Sequence, residues 1–268
     1  MKEWLEYTLD SKKKKFKSRF SYSNYLLKKD PKNVIQNFTF ENLKKNTLYF
    51  KQYNFFKKKL NNNTLFLSSG YGYYEYFLKK NYKNFLISDS EKIYDKFNKK
   101  HKLSKFKKIN ILNIKDLKKI KFKPKSIILN SVEYLFDDKQ LHKCLYNISC
   151  ISSSKTNIYI IFRSRYYFFL SFFDKILLPL ETYLKKIIYS ILGKKKFANR
   201  NLHGFRRSKN EFESIIRKSY KIIEIYYDLF SVDYERSSII KKTGIGKILS
   251  ILFLKSHPYL HIYKLKKN

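Results

Sequence analysis

Short apolar runs alternate with longer mixed segments through the middle of the chain. The runs are Thr64 to Leu67, Asn84 to Ser88, Ile109 to Leu112, Ser126 to Asn130 and Asn157 to Phe162. Each suits a strand buried on both faces. Between them, 73–80, 91–100, 138–149 and a short stretch near 115–119 carry helical spacing. Ser90 stands as an N-cap before the second of these, with Glu91 in its first turn. Strands alternating with helices predict an α/β fold, a parallel sheet covered on both faces. Further on, Ser208 with Glu211 three residues later is a capping-box pattern opening a helix over 208–218. A strand at 221–227 follows, and Pro258 precedes a last strand at about 259–264.

The two ends of this rhythm differ from it. Residues 1–63 read as a helical lead-in, with Tyr49, Tyr53, Phe56 and Leu60 on one helical face. Residues 64–268 read as one domain carrying an amphipathic insertion over 164–200. In that insertion Leu184, Ile187, Ile188 and Ile191 repeat at three and four, opposite Lys185 and Lys186, and Lys194 to Lys196 form a basic tail. It is either a cap packed on the domain, a wall for an apolar substrate, or a helix lying in a membrane interface.

Candidate chemistry concentrates between the first two strands. Gly70 and Gly72 follow the first run, and the chain has only 6 glycines. Asp89 closes the second run, 19 residues after Gly70. That is near the ~20 expected between a nucleotide-binding glycine turn and its ribose-binding acid. Glycine allows positive φ and close approach of a ligand, the helix beyond offers unpaired N–H groups, and a carboxylate can accept from two vicinal hydroxyls. The plainer alternative is a tight turn whose glycines serve packing alone. Gly244 and Gly246 are a decoy, because no acid follows at that spacing.

Charge changes the picture less than its size implies. The net charge is +38, yet lysine supplies 51 of the 59 basic residues and arginine 8. Phosphate recognition more often uses the planar fork of arginine, so most of the charge reads as a solvated lysine surface that favours anionic partners. The basic run Lys12 to Lys15, Lys17 and Arg19 reads as a solvated arm. At 43% hydrophobic residues the chain is not disordered overall. Cys144 and Cys150 have no histidine pattern for a metal and make no disulfide scaffold, which places the protein in a reducing, cytoplasmic setting. No stretch has the length of a membrane span, and the N-terminus, Met1 to Glu6, shows no apolar core of signal-peptide length.

The order of these segments resembles the class I S-adenosylmethionine-dependent methyltransferases, the branch acting on small-molecule and lipid-like substrates, from about Leu48 onward. Leu67-Ser68-Ser69-Gly70-Tyr71-Gly72-Tyr73-Tyr74 is similar to the family's first motif, and Ile87-Ser88-Asp89 to its second. Ile111-Leu112-Asn113-Ile114 sits where the family places residues beside adenine. Ile128 to Leu135 is similar to the segment after strand four, and Asn201 to Ser208 to the stretch before the last crossover helix. The resemblance implies a Rossmann-like, doubly wound, seven-stranded, mostly parallel sheet with an antiparallel last strand. It implies S-adenosyl-L-methionine as cofactor, held by Ser68, Ser69, Gly70, Tyr71, Gly72, Asp89, Ser90, Asn113, Ile114 and Asn130. There are departures. The family's strand-one acid is Phe66 here, its first motif glycine is Ser68, its adenine-side acid is Asn113 and its post-strand-four histidine is Tyr134.

Methyl transfer needs alignment of donor and acceptor, and in some cases a base. His203 is the candidate base by its ordinary pKa. Glu133 is the candidate to orient cofactor or substrate at the carboxyl edge of the sheet. The expected function is transfer to a small-molecule or lipid-linked acceptor, at oxygen, with peripheral contact at an anionic membrane. The alternatives are an RNA methyltransferase and an inactive methyltransferase-fold scaffold. Against RNA, Asn130-Ser131-Val132-Glu133 lacks the Pro-Pro-aromatic motif of base-amino methyltransferases, and the lead-in carries no RNA module.

Overall fold

Residues 2–13, 16, 39–45, 47–79, 82, 84–91, 94–95, 98–99, 106–163, 173–227 and 260–268 are described by the computed structural model. Lys14, Lys15, Lys17, Arg19, the apolar stretch 166–172, Gly244, Gly246 and Pro258 lie outside the described residues, as does part of the expected helix 91–100.

Four of the apolar runs are strands: β2 (Thr64–Leu67), β3 (Phe85–Asp89), β5 (Ser126–Leu129) and β6 (Asn157–Arg163). Alternate residues of a strand point to opposite faces, and here both faces are buried. Leu65, Leu67, Ile127, Leu129, Ile158 and Ile160 build one core, under the helices α5 (Asp138–Ile151) and α7 (Lys209–Ile216). Phe66, Ile128, Tyr159 and Ile161 build the other, under α2 (Thr47–Lys59) and α3 (Tyr73–Leu78). Tyr53 and Phe56 of α2, with Leu60 just beyond its end, belong to that second core, so the helical part of the lead-in covers one face of the sheet. A shorter helix, α1 (Phe40–Lys45), precedes it.

With β4 (Phe106–Lys108), β8 (Tyr220–Tyr227) and β9 (Leu260–Lys267), the sheet has seven strands in the order β4-β3-β2-β5-β6-β9-β8. The five strands from β2 to β6 run parallel. β9 runs antiparallel to both β6 and β8. This is the seven-stranded arrangement with an antiparallel last strand that the resemblance implied. Capping follows sequence at two helices. Ser208 and Glu211 form the expected capping box on α7, and Asp137 with Gln140 forms another on α5.

Three elements depart from expectation. The third strand is Phe106–Lys108, and Ile109 to Leu112 is a turn leading to the short helix α4 (Ile114–Leu117). Ile109 and Ile111 are buried there as loop residues, and Asn147 donates from Nδ2 to the Ile111 carbonyl at 3.0 Å. The lead-in opens with a strand, β1 (Lys2–Asp10), where only helix was expected. Its partner is β7 (Phe197–Arg206), which includes Asn201 to Arg206, expected to be a connecting stretch. The two make an antiparallel ribbon with a register shift between Trp4 and Leu5. The insertion contributes a π turn at Phe173–Leu177 and the helix α6 (Leu178–Ile191), which packs on β1 and β7.

Candidate functional site

A cavity of about 640 Å³ opens at the carboxyl ends of β2, β3 and β5. That volume lies within the roughly 300–1,000 Å³ of small-molecule sites. Strand order reverses between β2 and β5, the crevice where open α/β sheets bind ligands.

The turn after β2 forms its floor. Gly70 has φ 59° and Gly72 φ 69°, values that favour glycine. Ser68, at the place of the family's first glycine, takes the same left-handed conformation with φ 56°. Ser131, across the cavity, has φ 46°. Backbone strain of this kind costs about 1–3 kcal/mol per residue and persists where surrounding structure enforces it. Both strained serines line the cavity. The two glycines divide the work. Gly70 lines the cavity. Gly72 faces β3, where an added Cβ would come within 3.1 Å of Ile87 Cγ2.

Asp89 ties the turn to β3. Its Oδ2 accepts the Gly70 N–H at 2.9 Å and its Oδ1 accepts the Glu91 N–H at 3.1 Å. Asp89 therefore caps the backbone at Glu91. Burial pushes its carboxyl up to about 6, against the lowering effect of the Gly70 and Glu91 amides.

Ser68, Ser69, Gly70, Asp89, Ser90 and Asn130 all line the cavity. Tyr71 is one ring removed. It packs edge-on against Tyr94, with centroids 4.8 Å apart, and Tyr94 lines the wall. Asn113 and Ile114 stand off the cavity. Asn113 is exposed and caps α4 by accepting the Lys115 N–H at 3.1 Å. Asn110, Ile111 and Leu112 line the wall in their place, because β4 begins three residues before the expected strand.

His203 and Glu133 are both buried and neither lines the cavity. His203 lies on β7, its ring stacked on Tyr134 at 5.6 Å and 12°. Tyr134 is the ring on the wall. The two segments meet closely at Gly204, where an added Cβ would fall 2.3 Å from the Tyr134 carbonyl oxygen. Only glycine fits there, so the β1–β7 ribbon braces the cavity wall.

Two residues that sequence reasoning passed over organise the site. Arg207 is 98% buried by its 2% exposure. It donates to the carbonyls of Glu133 at 2.8 Å and Phe136 at 2.6 Å, and to Asp138 Oδ1 at 2.8 Å. It thereby ties down the segment that carries Ser131, Val132 and Tyr134. Glu75 is buried on α3, and its Oε1 accepts from Asn130 Nδ2 at 2.9 Å. A lone acid among Tyr73, Tyr74, Tyr76 and Phe77 was the available signal for it. The family's strand-one acid has no room here. Phe66 is fully buried, packed against Phe56, Tyr74 and Phe85.

Burial pushes the Glu75 carboxyl up to about 8, with Asp89 adding to the rise and the Ser69 and Asn130 side chains opposing it. The unfolded chain releases this proton near the ordinary value of 4.5, so between 4.5 and about 8 the folded state holds more protons than the unfolded one. Stability then falls as pH rises through that window. Glu75→Gln, which keeps an acceptor for Asn130 and cannot ionise, is expected to flatten the fall. Melting temperature against pH for the two proteins measures it, and parallel curves would count against the burial assigned to Glu75.

No family model matches the sequence, and no curated protein matches it. The structure has solved counterparts. PH0226 from Pyrococcus horikoshii OT3 is similar with a TM-score of 0.50 and 10% identity, over 87% of this chain and 94% of that one. The mitomycin 7-O-methyltransferase MmcR is similar with a TM-score of 0.50 and 10% identity, over 94% of this chain and 61% of that one. A third similar structure is an S-adenosylmethionine-dependent methyltransferase from Clostridium acetobutylicum ATCC 824, with a TM-score of 0.49 and 12% identity, over 92% and 98% of the two chains. At such identities the likeness is one of fold. This chain has the class I methyltransferase fold.

Proposed function

We propose that this chain is an S-adenosylmethionine-dependent methyltransferase that acts on a small-molecule or lipid-linked acceptor, at oxygen. The observation that carries this reading is Asp89. One of its oxygens holds the Gly70 N–H of the glycine turn and the other the Glu91 N–H beyond β3, and the residue lines the cavity. A carboxylate has about four acceptor positions, more than the backbone N–H groups of Gly70, Ser90 and Glu91 take up, so acceptor capacity remains for a ribose hydroxyl. Ser68, Ser69 and Gly70 form the cradle beside it, where the methionine end of the cofactor would lie. Asn110, Ile111 and Leu112 offer an amide and apolar contacts for the base, a role assigned from sequence to Asn113 and Ile114. MmcR, by name a 7-O-methyltransferase of mitomycin, supports an oxygen acceptor on this fold.

Bound S-adenosylmethionine supplies a methyl group on a positively charged sulfur, open to in-line displacement. The chain's own residues orient and desolvate. Glu75 fixes the Asn130 amide so that its carbonyl oxygen is the end left to face the cavity. Tyr134 presents its ring to the acceptor, and we assign His203 to holding that ring by stacking. Glu133 acts through its backbone carbonyl, which Arg207 grips. Of Tyr134, His203 and Glu133, Tyr134 alone lines the cavity.

Calorimetric titration with S-adenosylhomocysteine is the test, and saturable one-to-one binding is expected. Folded protein that gives no binding heat overturns the reading. Binding accompanied by methyl transfer to RNA and to no small-molecule or lipid acceptor would redirect it to nucleic acid.

A further inference from the structure

Helix α6 buries Glu181 and Thr182 and exposes a row of apolar residues. Glu181 and Thr182 are each 8% exposed, whereas Leu184, Ile187, Ile188 and Ile191 are 48%, 56%, 54% and 79% exposed. Leu180 adds to the same stripe at 53%. Surface helices normally turn such a stripe to the core. Here Glu181 is held by Lys185 at 2.5 Å, and the helix rests on β1 and β7. The apolar stripe continues past the helix end into Leu192, 61% exposed. An exposed contiguous apolar face of this kind marks an interaction site.

Its length and charge select the occupant. Fourteen helical residues span about 21 Å, short of the ~30 Å hydrocarbon core of a bilayer. Among the described residues no helix is long and apolar enough to cross a membrane. Lys186 flanks the stripe, and Lys194 and Lys195 follow it, all exposed. The whole chain carries +38. A second copy would bring the same charges against these lysines, whereas an anionic lipid surface complements them.

We propose that α6 seats this protein on an anionic lipid surface, with Leu184, Ile187, Ile188 and Ile191 in the acyl boundary and Lys186, Lys194 and Lys195 among the headgroups. A basic helix with one apolar face binds a bilayer in this way. The docking stands on α6 alone. One consequence rests on the methyltransferase reading: α6 packs on the ribbon that braces Tyr134, so a seated protein holds its cavity close to the lipid phase, and the acceptor class is lipid-borne.

The test is co-sedimentation of the full chain with vesicles of phosphatidylcholine alone or with roughly a third phosphatidylglycerol. Binding to the anionic vesicles is expected, with little to the neutral ones and a loss as salt rises. Ile187→Glu/Ile191→Glu should weaken binding by roughly tenfold or more. Both positions are exposed, so thermal unfolding and S-adenosylhomocysteine binding should stay as in the parent. Lys186→Glu/Lys194→Glu should abolish the preference for anionic vesicles. Equal recovery on both vesicle types, or on neither, overturns the proposal. So does a lipid-free dimer in sedimentation equilibrium that Ile187→Glu/Ile191→Glu dissociates, which would give the stripe to a second copy. Failure of the cofactor reading is read separately, from S-adenosylhomocysteine titration of the same protein without vesicles.

Discussion

Asp89→Ala is expected to weaken S-adenosylhomocysteine binding by at least roughly tenfold to a hundredfold. A hydrogen bond to a charged group contributes about 1.5–3 kcal/mol, and each factor of ten corresponds to about 1.4 kcal/mol. The substitution also releases the Gly70 and Glu91 amides, which lose their acceptor, so the turn that shapes the floor loosens as well. Affinity should depend on pH through the same group. The Asp89 carboxyl is pushed up to about 6 by burial, and protonation removes acceptor positions that the ribose needs. Binding therefore weakens as pH falls through 6 and is flat above it. In the free protein the sign is opposite: the acid ionises more readily unfolded than folded, so stability attributable to Asp89 is lost as pH rises from 3.8 to about 6. Titration calorimetry of both proteins between these limits separates the two effects. Unchanged affinity in a folded Asp89→Ala protein would remove the ribose assignment.

Arg207→Met should cost roughly 2–5 kcal/mol of stability, read as a shift in the urea midpoint at constant slope. The ion pair with Asp138 contributes the lesser part, because the Asp138 side chain is 49% exposed and solvent screens it. The larger part is the pair of carbonyls, Glu133 and Phe136, that lose a buried donor; each such orphan costs about 1–3 kcal/mol. Arg207→Lys should recover little, since one ammonium cannot reproduce the fork that spans both carbonyls. The damage extends to function. Tyr134, Leu135 and Phe136 line the cavity between those two anchors, so S-adenosylhomocysteine affinity should drop even where the variant remains folded. An unchanged midpoint would show that the anchor is not needed.

The central strands were legible because a parallel sheet buried on both faces writes itself as unbroken apolar runs. Leu65 and Phe66 point to different cores, yet both had to be apolar. The same signal misled at Ile109 to Leu112, where apolar character reported burial beneath α5 rather than strand pairing. With the strand set three residues late, the residues expected beside the cavity fell on Asn113 and Ile114, whereas Asn110 to Leu112 line its wall. Asp89 was found by its distance from Gly70, a spacing fixed by one strand–turn–helix–strand unit. Glu75 and Arg207 escaped because their partners are remote in sequence: Asn130 lies 55 residues from Glu75, and Glu133 lies 74 from Arg207. The strand at Lys2–Asp10 escaped for the same reason. Lys-Glu-Trp-Leu-Glu-Tyr-Thr-Leu-Asp has no clean alternation, and nothing local predicts its partner at the far end of the chain.

That pairing also sets an order of assembly. Lys2 faces Arg206 and Asp10 faces Phe197, so nearly two hundred residues must be gathered before the ribbon can close. Closing a loop of that size carries a heavy entropic cost until the intervening chain is already compact. The parallel strands β2, β3 and β5 pair over much shorter separations and are the natural nucleus. Among the described strands β1 is made before the others and waits longest for its partner. The wall at Tyr134, braced through Gly204, is therefore completed late. A chain arrested before residue 197 would carry the parallel strands β2 to β6 and the floor of glycines, but neither β8 nor β9 nor the support that β7 gives one side of the cavity.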